Sequence, residues 1–156
     1  MAEQITRSSR NSEASEGVAI NIEGIAKIAV DCGLKVHKDL GPGLLESAYE
    51  TVLAHLLEKR GLKVARQVVI PICYDGLVID QGFRADLIIE NAIVIELKSV
   101  EKLAPIHGKQ LLTYLRFLNM HVGFLMNFSS DKFTDGLKRI VNNHENTSGS
   151  TLRIHN

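Results

Sequence analysis

Tryptophan is absent, cysteine occurs only at positions 32 and 73, and proline occurs only three times. Cys32 and Cys73 lie far apart with no Cys-x-x-Cys pair, which excludes a disulfide framework and a cysteine zinc site. Both are expected to be buried, reduced thiols. Aromatic residues make up 5 % of the chain, too few for the base-stacking platforms of single-strand binding folds. Eighteen basic residues balance eighteen acidic ones, so there is no global field to hold a polyanion or a membrane surface. Any nucleic-acid contact needs a local patch. No apolar run approaches the ~20 residues of a membrane span, and the stretch MAEQITRSSRNSEASEG lacks the apolar core of a secretion signal. These absences lead to the expectation of a cytoplasmic protein with no membrane partner.

What is present suits one domain: 156 residues with a hydrophobic fraction of 45 %, drawn mostly from Leu, Ile and Val. Residues 1–20 and 142–156 are rich in Ser, Glu and Asn without periodicity, and both ends are expected to be loose. The folded unit is expected over 21–141.

Asn21 is a good N-cap, and Ile22, Ile25, Ile28, Ala29, Cys32 and Val36 recur at helical spacing until Gly41-Pro42. A second helix follows with Leu45, Ala48, Tyr49, Val52, Leu53, Leu56 and Leu57, ending at Lys59-Arg60-Gly61. Lys63 to Tyr74 is β-branched, with Pro71 pointing to an edge strand or a bulge. After a turn at Asp75-Gly76 come a short strand at Leu77 to Asp80, then strands at Phe83 to Glu90 and Ala92 to Ser99 around Asn91. Pro105 opens a helix carrying Leu111, Leu112, Leu115 and Leu118, Val122 to Phe128 reads as a buried strand, and Asp131 is expected to cap a short helix with Phe133, Leu137 and Ile140. The expected order is α-α-β-β-β-β-α-β-α, an α/β (α+β) chain.

The strand AIVIELKS sets Glu96 and Lys98 on one face and Ile95 and Leu97 on the other. Charges on an interior strand must be paired, bound to a metal or neutralised. A Glu96–Lys98 salt bridge is the simple solution. Asp86 complicates it, because Asp86 and Glu96 stand five residues on either side of Asn91. An odd-length turn centred there sets the two carboxylates opposite each other, where they repel. One lysine does not balance both, whereas an oxygen-preferring divalent cation such as Mg²⁺ or Mn²⁺ does. A slip of one residue would move Asp86 to the other face and undo the pairing.

Asp86, then Glu96-Leu97-Lys98 ten residues on, resembles the D…E-x-K signature of the PD-(D/E)XK nuclease superfamily, with Arg84-Ala85 where its name has proline. Upstream, Gly43-Leu44-Leu45-Glu46-Ser47-Ala48-Tyr49 is similar to the G-x-x-E-x-x-Y motif of the small GxxExxY proteins placed in that superfamily. The resemblance runs from about Ile22 to Val141. It implies a restriction-endonuclease-like core in which a mixed sheet is flanked by helices. It also implies a site for Mg²⁺ or Mn²⁺ with Asp86, Glu96, the Leu97 carbonyl and Glu46 as ligands and Lys98 acting on the attacking water. Gln110 and Tyr114 match a Q-x-x-x-Y element that holds the nucleic-acid strand; at i and i+4 they share a helix face.

Each of these residues has a plainer role beside the functional one. Glu46 near a helix start is stabilised by the helix dipole alone, and Gln110 on an amphipathic helix is normally solvated. Tyr49 either braces Glu46 or fills the core. His37 is a secondary candidate for substrate contact, although most lone histidines are structural or exposed. Substrate affinity would rest on local cations such as Lys35, Lys38, Lys102, Lys109 and Arg116. There is no glycine-rich phosphate loop. The sequence thus leads to a metal-dependent nuclease-like domain acting on nucleic acid, with DNA first and a homodimer admissible. The alternative is a non-catalytic nucleic-acid-binding or protein-interaction module on a nuclease fold.

Overall fold

In the computed structural model, residues 21–143 are described. Of the segments expected to be loose, 1–20 and 144–156 lie outside them, while Asn142, at the start of the expected tail 142–156, is buried and its backbone amide donates to the His121 carbonyl at 2.8 Å. The first helix, α1 (Ile22–Leu40), starts where Asn21 Oδ1 accepts the Gly24 amide at 3.0 Å, and it stops at Gly41. A short loop leads into α2 (Glu46–Lys59). Then come β1 (Val64–Tyr74), β2 (Leu77–Ile89), β3 (Ile93–Lys98), α3 (Pro105–Leu118), β4 (Val122–Asn127), a 3₁₀ turn (Phe133–Gly136) and β5 (Leu137–Val141).

The five strands lie in sequence order in one sheet. All neighbours are antiparallel except β3 and β4, whose parallel pairing requires the crossover that α3 supplies. Every residue of β4, and every residue of β3 but Lys98, is buried. That is what covering a strand on both faces demands. On one face Ile93, Ile95 and Leu97 pack with Phe124 and Met126 against Ala29, Val36, Leu53 and Leu57 of α1 and α2. On the other, Val94 and Leu125 pack with Leu111 and Leu115 of α3.

The long β1–β2 hairpin turns at Asp75-Gly76, both with positive φ, the geometry a two-residue hairpin loop requires. Pro71 falls on the edge strand, where the register shifts between Ile70 and Ile72. The two strands expected at Leu77 to Asp80 and from Phe83 are in fact one. Gly82 carries the strand through the break, because a Cβ there would lie 2.3 Å from Ile72 Cγ1.

The expected final helix is also corrected. Phe133 belongs to a 3₁₀ turn preceded by Lys132, and Leu137 to Val141 form a strand antiparallel to β4. Leu137 packs on the α1/α2 side and Ile140 on the α3 side. A three-residue offset suits one helix face, but in a strand it alternates faces, and the free edge of β4 takes the backbone partner it needs. Cys32 is buried as expected, whereas Cys73 is only partly so. Among the described residues no helix is long and apolar enough to cross a membrane.

Candidate functional site

Glu90 and Asn91 both adopt left-handed backbone conformations, and Ile89 pairs with Ile93, so β2 and β3 are joined by a three-residue turn centred on Asn91. The ladder continues to Leu87 opposite Ile95. One step further along that register are Asp86 and Glu96. Here the strands part and side chains replace backbone acceptors. The Asp86 amide donates to Glu96 Oε1 at 3.0 Å, and the Leu97 amide donates to Asp86 Oδ2 at 2.9 Å.

Glu96 is 5 % exposed. Burial, then the charge of Asp86, pushes its carboxyl up to about 8, against the opposing effects of the Asp86 amide and the Lys98 charge. At neutral pH Glu96 therefore retains its proton. Lys98, two residues along the strand, shares the Glu96 face. So does the α3 surface bearing Gln110 and Tyr114. Burial raises the Tyr114 hydroxyl, and the charges of Glu96 and Asp86 raise it further, while a hydrogen bond with Gln110 opposes them. Phe83 stacks on Tyr114 with centroids 4.3 Å apart.

On the α2 side of the strand opens a cleft of about 840 Å³. Glu46, Glu50, Arg66, Gln67, Arg84 and Asp86 line it together with Leu97 and Ser99. The G-x-x-E-x-x-Y segment explains how Glu46 comes to be there. Tyr49, fully buried and stacked on Phe128, donates to the Gly41 carbonyl at 2.6 Å and accepts the Leu44 amide at 3.1 Å. It pins the loop before α2 and does not contact Glu46 through a hydrogen bond. Ser99 then fastens that loop to the end of β3: its amide donates to Glu46 Oε1 at 3.1 Å and its hydroxyl to the Leu44 carbonyl at 3.1 Å.

Glu46 and Asp86 thus share a cleft that Glu96 and Lys98 do not line, and Asp86 is joined to Glu96 through its own amide and to Leu97 through its carboxylate. Among the described residues, however, no three His, Cys, Asp or Glu side chains form a group that could by itself hold a metal ion. The fit to a divalent cation rests on the pair. Burial, then the neighbouring Asp86 charge, holds a proton on Glu96, and beside Asp86 that carboxyl offers a place where a cation can take the proton's position. His37 stands apart, with Nε2 2.6 Å from the Ser130 carbonyl and its ring 6.0 Å from Phe133.

Sequence reasoning passed over Glu50, Gln67 and Asn127. Glu50 is four residues beyond Glu46, on the same helical face, and that spacing was a usable signal. Arg66-Gln67, polar in the middle of a β-branched run, was another. Asn127 is 1 % exposed; its side chain accepts the Val100 and Ser129 amides and donates to the Val100 carbonyl, bracing the loops that follow β3 and β4. No spacing in the sequence announced it.

No curated protein and no solved structure matches the chain. A family model does: that of the PD-(D/E)XK nuclease superfamily, over residues 23–140. The matched stretch takes in every element from α1 to β5, and the mixed sheet flanked by helices is the restriction-endonuclease-like architecture. Members generally use divalent metal ions. With a match over most of its length and a fold to suit, the chain belongs to the PD-(D/E)XK nuclease superfamily.

Proposed function

We propose that this protein is a Mg²⁺- or Mn²⁺-dependent nuclease of the GxxExxY type that hydrolyses phosphodiester bonds, with DNA as its substrate. The observation that carries the reading is the Asp86–Glu96 pair, two carboxylates that each accept a backbone amide of the opposite strand where β2 and β3 part. In this reading Asp86, Glu96, the Leu97 carbonyl and Glu46 would hold the ion. The ion supplies a water acidic enough to attack at neutral pH and positive charge for the scissile phosphate. Lys98, a compact cation beside Glu96, orients the attacking water and a phosphate oxygen. Arg66 and Arg84 on the cleft wall receive the flanking phosphates, and Gln110 with Tyr114 holds the strand on the α3 side. The water oxygen bonds to phosphorus as its proton passes to solvent, the P–O bond to the sugar oxygen breaks, and that oxygen takes a proton from solvent and leaves as an alcohol, the other end keeping the phosphate.

Incubating the purified protein with linear, circular and single-stranded DNA in Mg²⁺ or Mn²⁺ tests this directly. Metal-dependent cleavage of any of them is the expected result, and inertness toward all of them overturns it. The second reading, a non-catalytic binding module on the same fold, draws on the want of a three-side-chain metal group among the described residues. Calorimetry with Mn²⁺ separates the two, since a module that has lost its site has no reason to bind the ion tightly.

A further inference from the structure

We infer that Gln67 is a positioning residue for the Asp86 carboxylate, which it ties to the buried Glu50; the role rests on the metal-site reading above. Gln67 Nε2 donates to Glu50 Oε2 at 2.5 Å and to Asp86 Oδ1 at 3.3 Å. A single amide nitrogen thus commits both its hydrogens to carboxylates. Glu50 is the fixed end of this bridge: it is 6 % exposed, and Arg66 Nε holds its other oxygen at 3.0 Å. Arg66 is itself steadied by Thr51, whose hydroxyl takes the guanidinium at 2.9 Å. Asp86 is then gripped at both oxygens, by Gln67 on Oδ1 and by the Leu97 amide on Oδ2. A ligating carboxylate restrained in this way enters the bound state with little orientation left to lose.

The backbone points the same way. Gln67 has φ +48°, a left-handed conformation that residues with a Cβ rarely adopt. The β1–β2 register runs from Arg66 opposite Leu87 to Val68 opposite Ala85, and Gln67 and Asp86 form the position between them where no pair is made. Glycine would take this conformation without strain. Glutamine stays uphill here, and what its side chain reaches from this conformation is the carboxylate of Asp86.

The test uses the full chain and two variants, Gln67→Gly and Gln67→Asn, with Mn²⁺ calorimetry and chelator-treated melting curves. Gln67→Gly relieves the backbone, and Asn tolerates a left-handed φ but is one methylene too short to bridge Glu50 and Asp86. Both are expected to melt at or near the wild-type temperature and to bind Mn²⁺ about 10–100-fold more weakly. Wild-type affinity in either variant overturns the role. So does a fall in the Gln67→Gly melting temperature that accompanies its loss of affinity, because that marks Gln67 as a structural bridge. Wild-type protein that takes up no Mn²⁺ overturns the metal reading, and this role with it.

Discussion

The Asp86 amide donates to the Glu96 carboxylate one step beyond the last backbone pair of β2 and β3. The side chain of one acidic residue thereby completes the main-chain bonding of the other. Their separation is set by the sheet and does not depend on two flexible side chains meeting. The repulsion between them is built into the fold.

Burial of Glu96, with the Asp86 charge beside it, makes stability depend on pH. Glu96 holds its proton up to about 8 in the folded chain, against an ordinary value of 4.5. Between those values the folded state binds a proton that the unfolded state has lost, so stability falls as pH rises through this window. Urea denaturation from pH 5 to 9 in chelator should show that decline, and Glu96→Gln should flatten it. A slope unchanged by Glu96→Gln would assign it to another group.

The same proton competes with metal. Below pH 8 the apparent Mn²⁺ affinity of the wild type should fall by up to about tenfold per pH unit, with proton release on binding. Calorimetry in buffers of different ionisation enthalpy measures both quantities. Affinity flat between pH 6 and 8 would detach Glu96 from the ion.

At pH 9, where Glu96 has lost its proton, Asp86→Asn removes one charge of the pair, and its amide oxygen can still accept the Leu97 amide. Without metal it should melt at or above the wild-type temperature. At 100 times its Kd, Mn²⁺ should stabilise the wild type by about 2.7 kcal/mol and leave the variant nearly unmoved. A structural charge cluster predicts the reverse, a large destabilisation of apo Asp86→Asn.

Lys98→Ala should lower DNA cleavage at least about 100-fold while Mn²⁺ affinity stays within a few-fold, since a protonated amine has no lone pair to offer the ion. Cleavage rates and calorimetry on one preparation decide it. An active variant would remove Lys98 from the chemistry.

Tyr49→Phe deletes the hydroxyl that holds both Gly41 and Leu44. The stacked ring remains, so the fold should survive with a loss of about 1–3 kcal/mol. Cleavage should fall as well, because the loop that presents Glu46 is released. Full activity with reduced stability would show that Tyr49 serves the core alone.

The parts that could be read from the sequence are those set by local chemistry. Asn21, Pro105 and Gly41 bound helices through capping and φ restriction, effects that act within one turn. The β2–β3 register followed from Asn91 because a turn transmits its geometry to residues on either side at equal distance. Contacts across the fold were hidden. Gln67 meets Glu50 only because α2 lies beside β1, and no periodicity encodes that meeting. At Leu137 to Val141 the pattern fitted helix and strand alike, and the open edge of β4 decided between them.

Pro71 has a consequence for how the molecule behaves in a concentrated solution. The far end of the β1–β2 hairpin carries Tyr74, Leu77, Val78 and Ile79 exposed, and β1 forms the rim of the sheet. A straight, apolar rim with an unbroken row of amides is a template on which further chains stack and precipitate. Pro71 withholds one amide from that row, and the register shift beside it bends the strand. Asp75 and Asp80 add like charges that a stacked neighbour would have to face. The outer rim of the sheet is thereby kept from recruiting copies of itself.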